Sequence, residues 1–149
     1  MKAVIQRVSR ASVKTEGRLL SEIGQGLLIL IGISPHDDMT DIEWLSNKIA
    51  NLRIFNDENQ IMNRSLIDIG ADAIIVSQFT LLANTKKGNR PSYINAAAPD
   101  LAIPLYEEFI RVFEKQVQKK VGTGSFGADM QIDLQNDGPV TIVIDTRNK

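Results

Sequence analysis

The sequence predicts an α+β fold, a curved, barrel-like β-sheet with two main helices in a single domain over residues 1–149. Three observations predict it. Both ends of the chain carry extended, β-branched stretches without helical spacing, at Lys2–Val13 and from Met130 to Ile144. Two apolar runs, Leu27–Ile33 and Ile74–Phe79, read as strands covered on both faces. Two stretches, after Thr40 and after Pro99, have apolar residues at helical spacing.

In order, Lys2–Val13 predicts a first strand with Val4, Gln6 and Val8 on one face and Ile5 and Arg7 on the other. Glu16-Gly17 predicts a turn, Arg18–Glu22 a short strand and Gly24-Gln25-Gly26 a second turn. Thr40-Asp41-Ile42-Glu43 has the form of a capping box, with Thr40 as the N-cap. Ile42, Leu45, Ile49 and Leu52 then predict a helix to about Arg53, with Trp44 as a half-buried packing residue. Asn56–Asn59 is turn chemistry, and Asn84–Arg90, polar, basic and glycine-containing, reads as a mobile surface loop. Pro99-Asp100 opens a second helix, expected to reach Val121 and to end at Gly122-Thr123-Gly124. Its apolar face is Leu105, Phe109, Val112, Phe113 and Val117. Met130, Ile132 and Leu134 share one face of a strand, and Val140, Ile142 and Ile144 one face of the next. Asn136-Asp137-Gly138 between them predicts a hairpin.

Composition narrows the chemistry. No stretch approaches the roughly 20 apolar residues of a membrane span, and the N-terminal apolar stretch ends at Gln6-Arg7, too short for a signal peptide. A soluble, cytoplasmic protein without a membrane partner is expected. The absence of cysteine removes disulfides, thiolate nucleophiles and sulfur-ligated zinc. His36 is the only histidine, in an exposed-turn sequence, so any chemistry must work without the usual general base. No metal-ligand cluster is legible; no metal and no cofactor is expected. A net charge of −1 argues against a grip on a long duplex, so no DNA partner is expected. The basic groups at Lys86, Lys87 and Arg90, and at Lys115, Lys119 and Lys120, read as solvated surface or as local contacts.

A few residues break local rules. Ser77-Gln78-Phe79-Thr80 ends an apolar strand with hydrogen-bonding side chains, which fits either a site or a strand reaching solvent. Gly138-Pro139 admits a strand-initiating proline or a cis peptide bond, which turns neighbouring carbonyls the same way and offers acceptors to an ammonium group. Arg7 interrupts an apolar strand, so it either finds an inward partner or lies on the surface. Gly127, in Phe126–Met130, serves a close backbone approach or a turn.

Six blocks in order resemble the D-aminoacyl-tRNA deacylase family, of the D-Tyr-tRNA deacylase type. They are Ala3–Val13, Leu52–Phe55, Val76–Leu81, Lys87–Ser92, Gly124–Met130 and Asn136–Thr141. The family's signature motifs match Ser77-Gln78-Phe79-Thr80 and Gly138-Pro139-Val140-Thr141; Asn84 and Tyr93 depart from it outside those motifs. The resemblance implies hydrolysis of D-aminoacyl-tRNA, and of glycyl-tRNA, by a homodimer that grips the 3′ CCA end. Each site would lie at the interface, joining Ser77, Gln78, Phe79 and Thr80 of one chain to Gly138 and Pro139 of the partner subunit. Arg7 would help hold the Gly-Pro loop, whose family bond is cis. An L side chain would be rejected sterically, which glycine escapes. Thr80 as nucleophile is one reading, and an orienting Thr80 beside an activated ester is the favoured one. A non-catalytic RNA-binding module and a different esterase are the alternatives.

Overall fold

The computed structural model describes residues 1–149. The chain runs β1 (Lys2–Thr15), β2 (Arg18–Ile23), β3 (Gly26–Gly32), α1 (Met39–Ala50), β4 (Phe55–Asn56) and β5 (Met62–Arg64). It continues through a one-turn α2 (Leu66–Ile69), β6 (Asp72–Ser77), a 3₁₀ turn (Phe79–Leu82), α3 (Pro99–Val117), β7 (Gly122–Thr123) and β8 (Gln131–Asp145). The expected α+β architecture, a barrel-like sheet with two main helices, is present.

Strand β1 organises the sheet. Its first half pairs with β3 and its second half with β2, both antiparallel, while β8 runs antiparallel along its other edge. Beyond β3 the order continues in parallel to β6 and β7. Beyond the ladder, the sheet is drawn toward closure by Ser21 of β2. Its hydroxyl donates to the Thr123 carbonyl at 2.7 Å and accepts from the Thr123 amide at 2.9 Å. A Cβ on Gly122 would stand 2.9 Å from both Ile74 and Ser21, so glycine lets the β7 backbone into this seam.

The period-two pattern of β3 and β6 feeds two cores. Leu27, Ile29, Ile31, Ala73 and Ile75 pack under the helices, against Ile42, Leu45 and Ile49 of α1 and Tyr106, Phe109 and Phe113 of α3. Leu28, Ile74 and Val76 pack on the opposite face with Val8, Val13 and Ile23, inside the barrel. Burying each such aliphatic side chain stabilises the fold by roughly 1.5–3 kcal/mol.

Several sequence expectations are corrected. The N-cap of α1 is Asp38 rather than Thr40. The Asp38 carboxylate accepts from the Thr40 amide at 2.8 Å and the Asp41 amide at 3.3 Å, while Asp41 accepts from the Asp38 amide at 3.2 Å. Two overlapping capping boxes were spelled, and the one with a charged acceptor at the helix start prevails. Helix α3 stops at Val117, with Gln118 in the left-handed region at φ 55, so Gly122-Thr123 is free to form β7. The strand ending at Phe79 instead ends at Ser77.

The expected C-terminal hairpin is absent. Met130–Leu134 and Val140–Ile144 do not face each other; apart from Met130, which precedes it, both are stretches of one long β8, because β1 is long enough to pair with both halves. The turn chemistry of Asn136-Asp137-Gly138 appears as an excursion in β8. Between the pairs Gln6↔Thr141 and Val8↔Asn136, Arg7 alone faces the four residues Asp137–Val140.

Candidate active site

At the end of β6 the parallel ladder with β3 finishes at Ile31↔Ser77, and the Gln78 amide still donates to the Ile31 carbonyl at 2.7 Å. The chain then tightens into the 3₁₀ turn Phe79–Leu82. This turn lies flat on β3 because of Gly32, where a Cβ would meet Leu82 at 2.4 Å and the Gln78 carbonyl at 3.0 Å. The predicted motif therefore straddles a strand end and a helical turn. Phe79 and Thr80 open the turn, so their amides have no acceptor within it.

Ser77, Gln78 and Phe79 line a cleft of about 290 Å³ whose other walls include Ile31, Phe126 and Met130. Thr80 stands behind them, its hydroxyl oxygen accepting from Gln78 Nε2 at 2.6 Å. No histidine lines the cleft. Its one carboxylate, Asp129, belongs to the Phe126–Met130 wall, where the Asp129 carbonyl accepts from Thr15 Oγ1 at 2.8 Å. Gly127 serves a turn at φ 75, with nothing within 4 Å of where its Cβ would lie. Gly124 is the close approach, with Met130 Sδ at 2.6 Å from its Cβ position.

A second cluster gathers around Arg7. Its side chain is buried, which resolves the sequence alternatives in favour of an inward partner. Nη1 donates to the Ile54 carbonyl at 2.6 Å, and Nε lies 3.1 Å from both the Asp137 carbonyl and the Asp137 carboxylate. Gly138 and Pro139 are exposed on the excursion that Arg7 holds, and the bond between them is cis. Gly138 has φ +124, and a Cβ there would lie 2.9 Å from Arg7 Nη2. Asn136 closes the neck of the excursion, accepting from the Val140 amide at 2.9 Å and donating to Gln6 Oε1 and Thr141 Oγ1.

One chain thus brings Ser77, Gln78, Phe79 and Thr80 together, and separately joins Arg7 to Gly138 and Pro139. Neither Gly138 nor Pro139 lines the cleft. Sequence reasoning overlooked Tyr106, whose hydroxyl donates to the Ile75 carbonyl at 2.7 Å and whose ring lies 5.8 Å from that of Phe126. Burial pushes its pKa up to about 12, so it remains a donor. A tyrosine within a helical apolar stripe carries no sequence signal that sets it apart. No group of three or more His, Asp or Glu side chains is arranged to hold a metal ion.

Comparisons with known proteins place this arrangement. A family model described as D-Tyr-tRNA(Tyr) deacylase matches residues 4–145. The D-aminoacyl-tRNA deacylases of Parabacteroides distasonis and Flavobacterium johnsoniae are 59% and 58% identical over 149 residues, spanning 100% of this chain and 99% of each relative. Among solved structures, a c-Myc DNA unwinding element binding protein aligns with a TM-score of 0.91 at 41% identity, over 98% of this chain and 99% of that one. A probable eukaryotic D-amino acid tRNA deacylase aligns over 96% of this chain and 97% of its own at TM-score 0.82 and 17% identity, a likeness of fold alone. With a family model that runs nearly end to end and relatives this similar along their whole length, the chain belongs to the D-Tyr-tRNA(Tyr) deacylase family.

Proposed function

We propose that this protein hydrolyses the ester joining a D-amino acid to the 3′ end of tRNA, releasing free tRNA and the D-amino acid. The observation that carries the reading is the start of the 3₁₀ turn. Phe79 on the cleft wall and Thr80, next in the chain, have amides without helical acceptors, and no histidine lines the cleft. Amide donors without a strong base suit an ester that is already activated. Water adds to the ester carbonyl, the amides stabilise the oxyanion, and the C–O bond to the ribose breaks as that oxygen takes a proton. The neighbouring ribose hydroxyl helps move the proton. Thr80 orients rather than attacks, since its oxygen is engaged by Gln78 and no base adjoins it.

The proposal extends to a homodimer acting in the cytoplasm. The cleft of one protomer would meet Gly138 and Pro139 of the partner subunit, which reject an L side chain and admit D-amino acids and glycine. Three features support this. Gly138 and Pro139 are exposed, they do not line the cleft of their own chain, and the neighbouring β8 face leaves Val143 68% exposed. The basic residues Lys86, Lys87 and Arg90 are exposed and suited to acceptor-stem phosphates.

The test is hydrolysis of D-Tyr-tRNA beside L-Tyr-tRNA at enzyme far below substrate. Multiple turnover of the D ester with the L ester spared is expected. Binding of tRNA without turnover of either would replace the enzyme by a binding module.

A further inference from the structure

The side chain of Phe79 is an oddity for a residue whose backbone the mechanism needs held still. It is 54% exposed, and the aromatic ring that meets it belongs to Tyr93, 5.0 Å away between centroids and 73° to it, edge to face. Tyr93 in turn sits beside a backbone bridge. Its neighbour Ser92 exchanges both backbone hydrogen bonds with Asn84, at 2.8 and 3.0 Å, and the Tyr93 carbonyl accepts from the Ala96 amide at 2.9 Å. Asn84 also accepts the Lys86 amide on its side chain at 3.0 Å, which stiffens the start of the basic tip. Residues 84–92 therefore form a closed hairpin, with Lys86, Lys87 and Arg90 at the exposed end and Tyr93 at the foot, against the first residue of the 3₁₀ turn.

We propose that Tyr93 is a positioning residue of the hydrolytic site: its ring holds Phe79 edge to face, fixing the turn whose amides meet the ester and tying that turn to the basic hairpin. The inference rests on the hydrolytic reading above. An exposed phenylalanine without this neighbour samples several rotamers and lets the turn's first amides wander. A misplacement of about 1 Å at reacting groups costs on the order of 100-fold in rate. Tyr93 touches no reacting atom in this scheme, so its loss changes the chemical step and leaves the hairpin charges in place for binding.

The experiment compares wild type, Tyr93→Ala, Tyr93→Leu and Tyr93→Phe on D-Tyr-tRNA, separating kcat from KM, with thermal melts alongside. Tyr93→Ala is expected to lower kcat about 10- to 100-fold at a KM within about twofold of wild type. Tyr93→Phe, which keeps the ring edge, is expected to restore kcat. Tyr93→Leu fills the space without an aromatic edge; it replaces the alanine variant if that one loses its melting transition, and the same fall in kcat is expected. Wild-type kcat in the alanine or leucine variant, or a loss confined to KM, overturns the inference and leaves the enzyme reading standing. A wild-type protein that turns over no D ester brings both down.

Discussion

Gln78 Nε2 donates to Thr80 Oγ1 across 2.6 Å, so the only hydroxyl in the second half of the motif is engaged by an amide rather than by a base. Thr80→Ala is therefore expected to keep hydrolysis of D-Tyr-tRNA within about tenfold in kcat, whereas deleting a true nucleophile costs several thousandfold or more. Single-turnover kinetics decide it, and abolished chemistry with intact tRNA binding would make Thr80 the nucleophile.

Arg7 supports the Gly138 excursion from below. Arg7→Met leaves the Ile54 carbonyl buried without its donor and frees the Asp137 carbonyl and carboxylate. A loss of about 2–4 kcal/mol in urea unfolding is expected. Arg7→Lys recovers little, because one ammonium cannot serve two carbonyls in the geometry of a guanidinium fork. Gly138→Ala acts in the same direction, since its Cβ presses on the Arg7 guanidinium at a φ of +124. An Arg7→Met midpoint equal to wild type would show that the excursion holds itself.

Lys86 and Lys87 are exposed at the hairpin tip. Replacing both by glutamine is expected to weaken tRNA binding and flatten its salt dependence between about 50 and 200 mM. Each lost phosphate contact lowers the slope by roughly 0.7–0.9. Binding isotherms that overlay wild type at every salt concentration would exclude the tip as an RNA contact.

Asp41 should give the fold an acid limit. Burial pushes its carboxyl upward, but hydrogen bonds from Thr146, Lys149 and the Asp38 amide, with the amino-terminal charge, outweigh it and leave the pKa below 3.8. A depressed folded-state pKa means that this contribution is fully present above pH 3.8 and disappears as pH falls from there through the folded value. Melting curves of wild type and Asp41→Asn should therefore be well separated at neutral pH and converge below about pH 4. A constant gap down to pH 3 would remove Asp41 from the acid response.

Much of this was legible because burial writes periods into sequence. Leu27–Ile33 reads as a doubly covered strand and returns as β3, which ends at Gly32, and Ile42, Leu45 and Ile49 reappear as the buried face of α1. What misled was local chemistry that tertiary pairing overrode. Asn136-Asp137-Gly138 asks for a hairpin, yet β1 is long enough to capture the residues on both sides of it. Arg7 was undecidable from sequence because its partners, Ile54 and Asp137, lie far along the chain. The Ser77–Thr80 motif was found, but its division between β6 and a 3₁₀ turn depends on Gly32 of a different strand.

The pairing of β1 with β8 also sets a timetable. The edge of β1 that faces β8, from Lys2 to Lys14, has its partner only in residues 131–145. While the protein is being synthesised, that edge must wait without main-chain partners until almost the whole chain has left the ribosome. Contacts between such distant segments form late and slowly, and an unpaired edge in the interval invites strand exchange with another copy. A chain built this way completes its main sheet only at the end of its own synthesis.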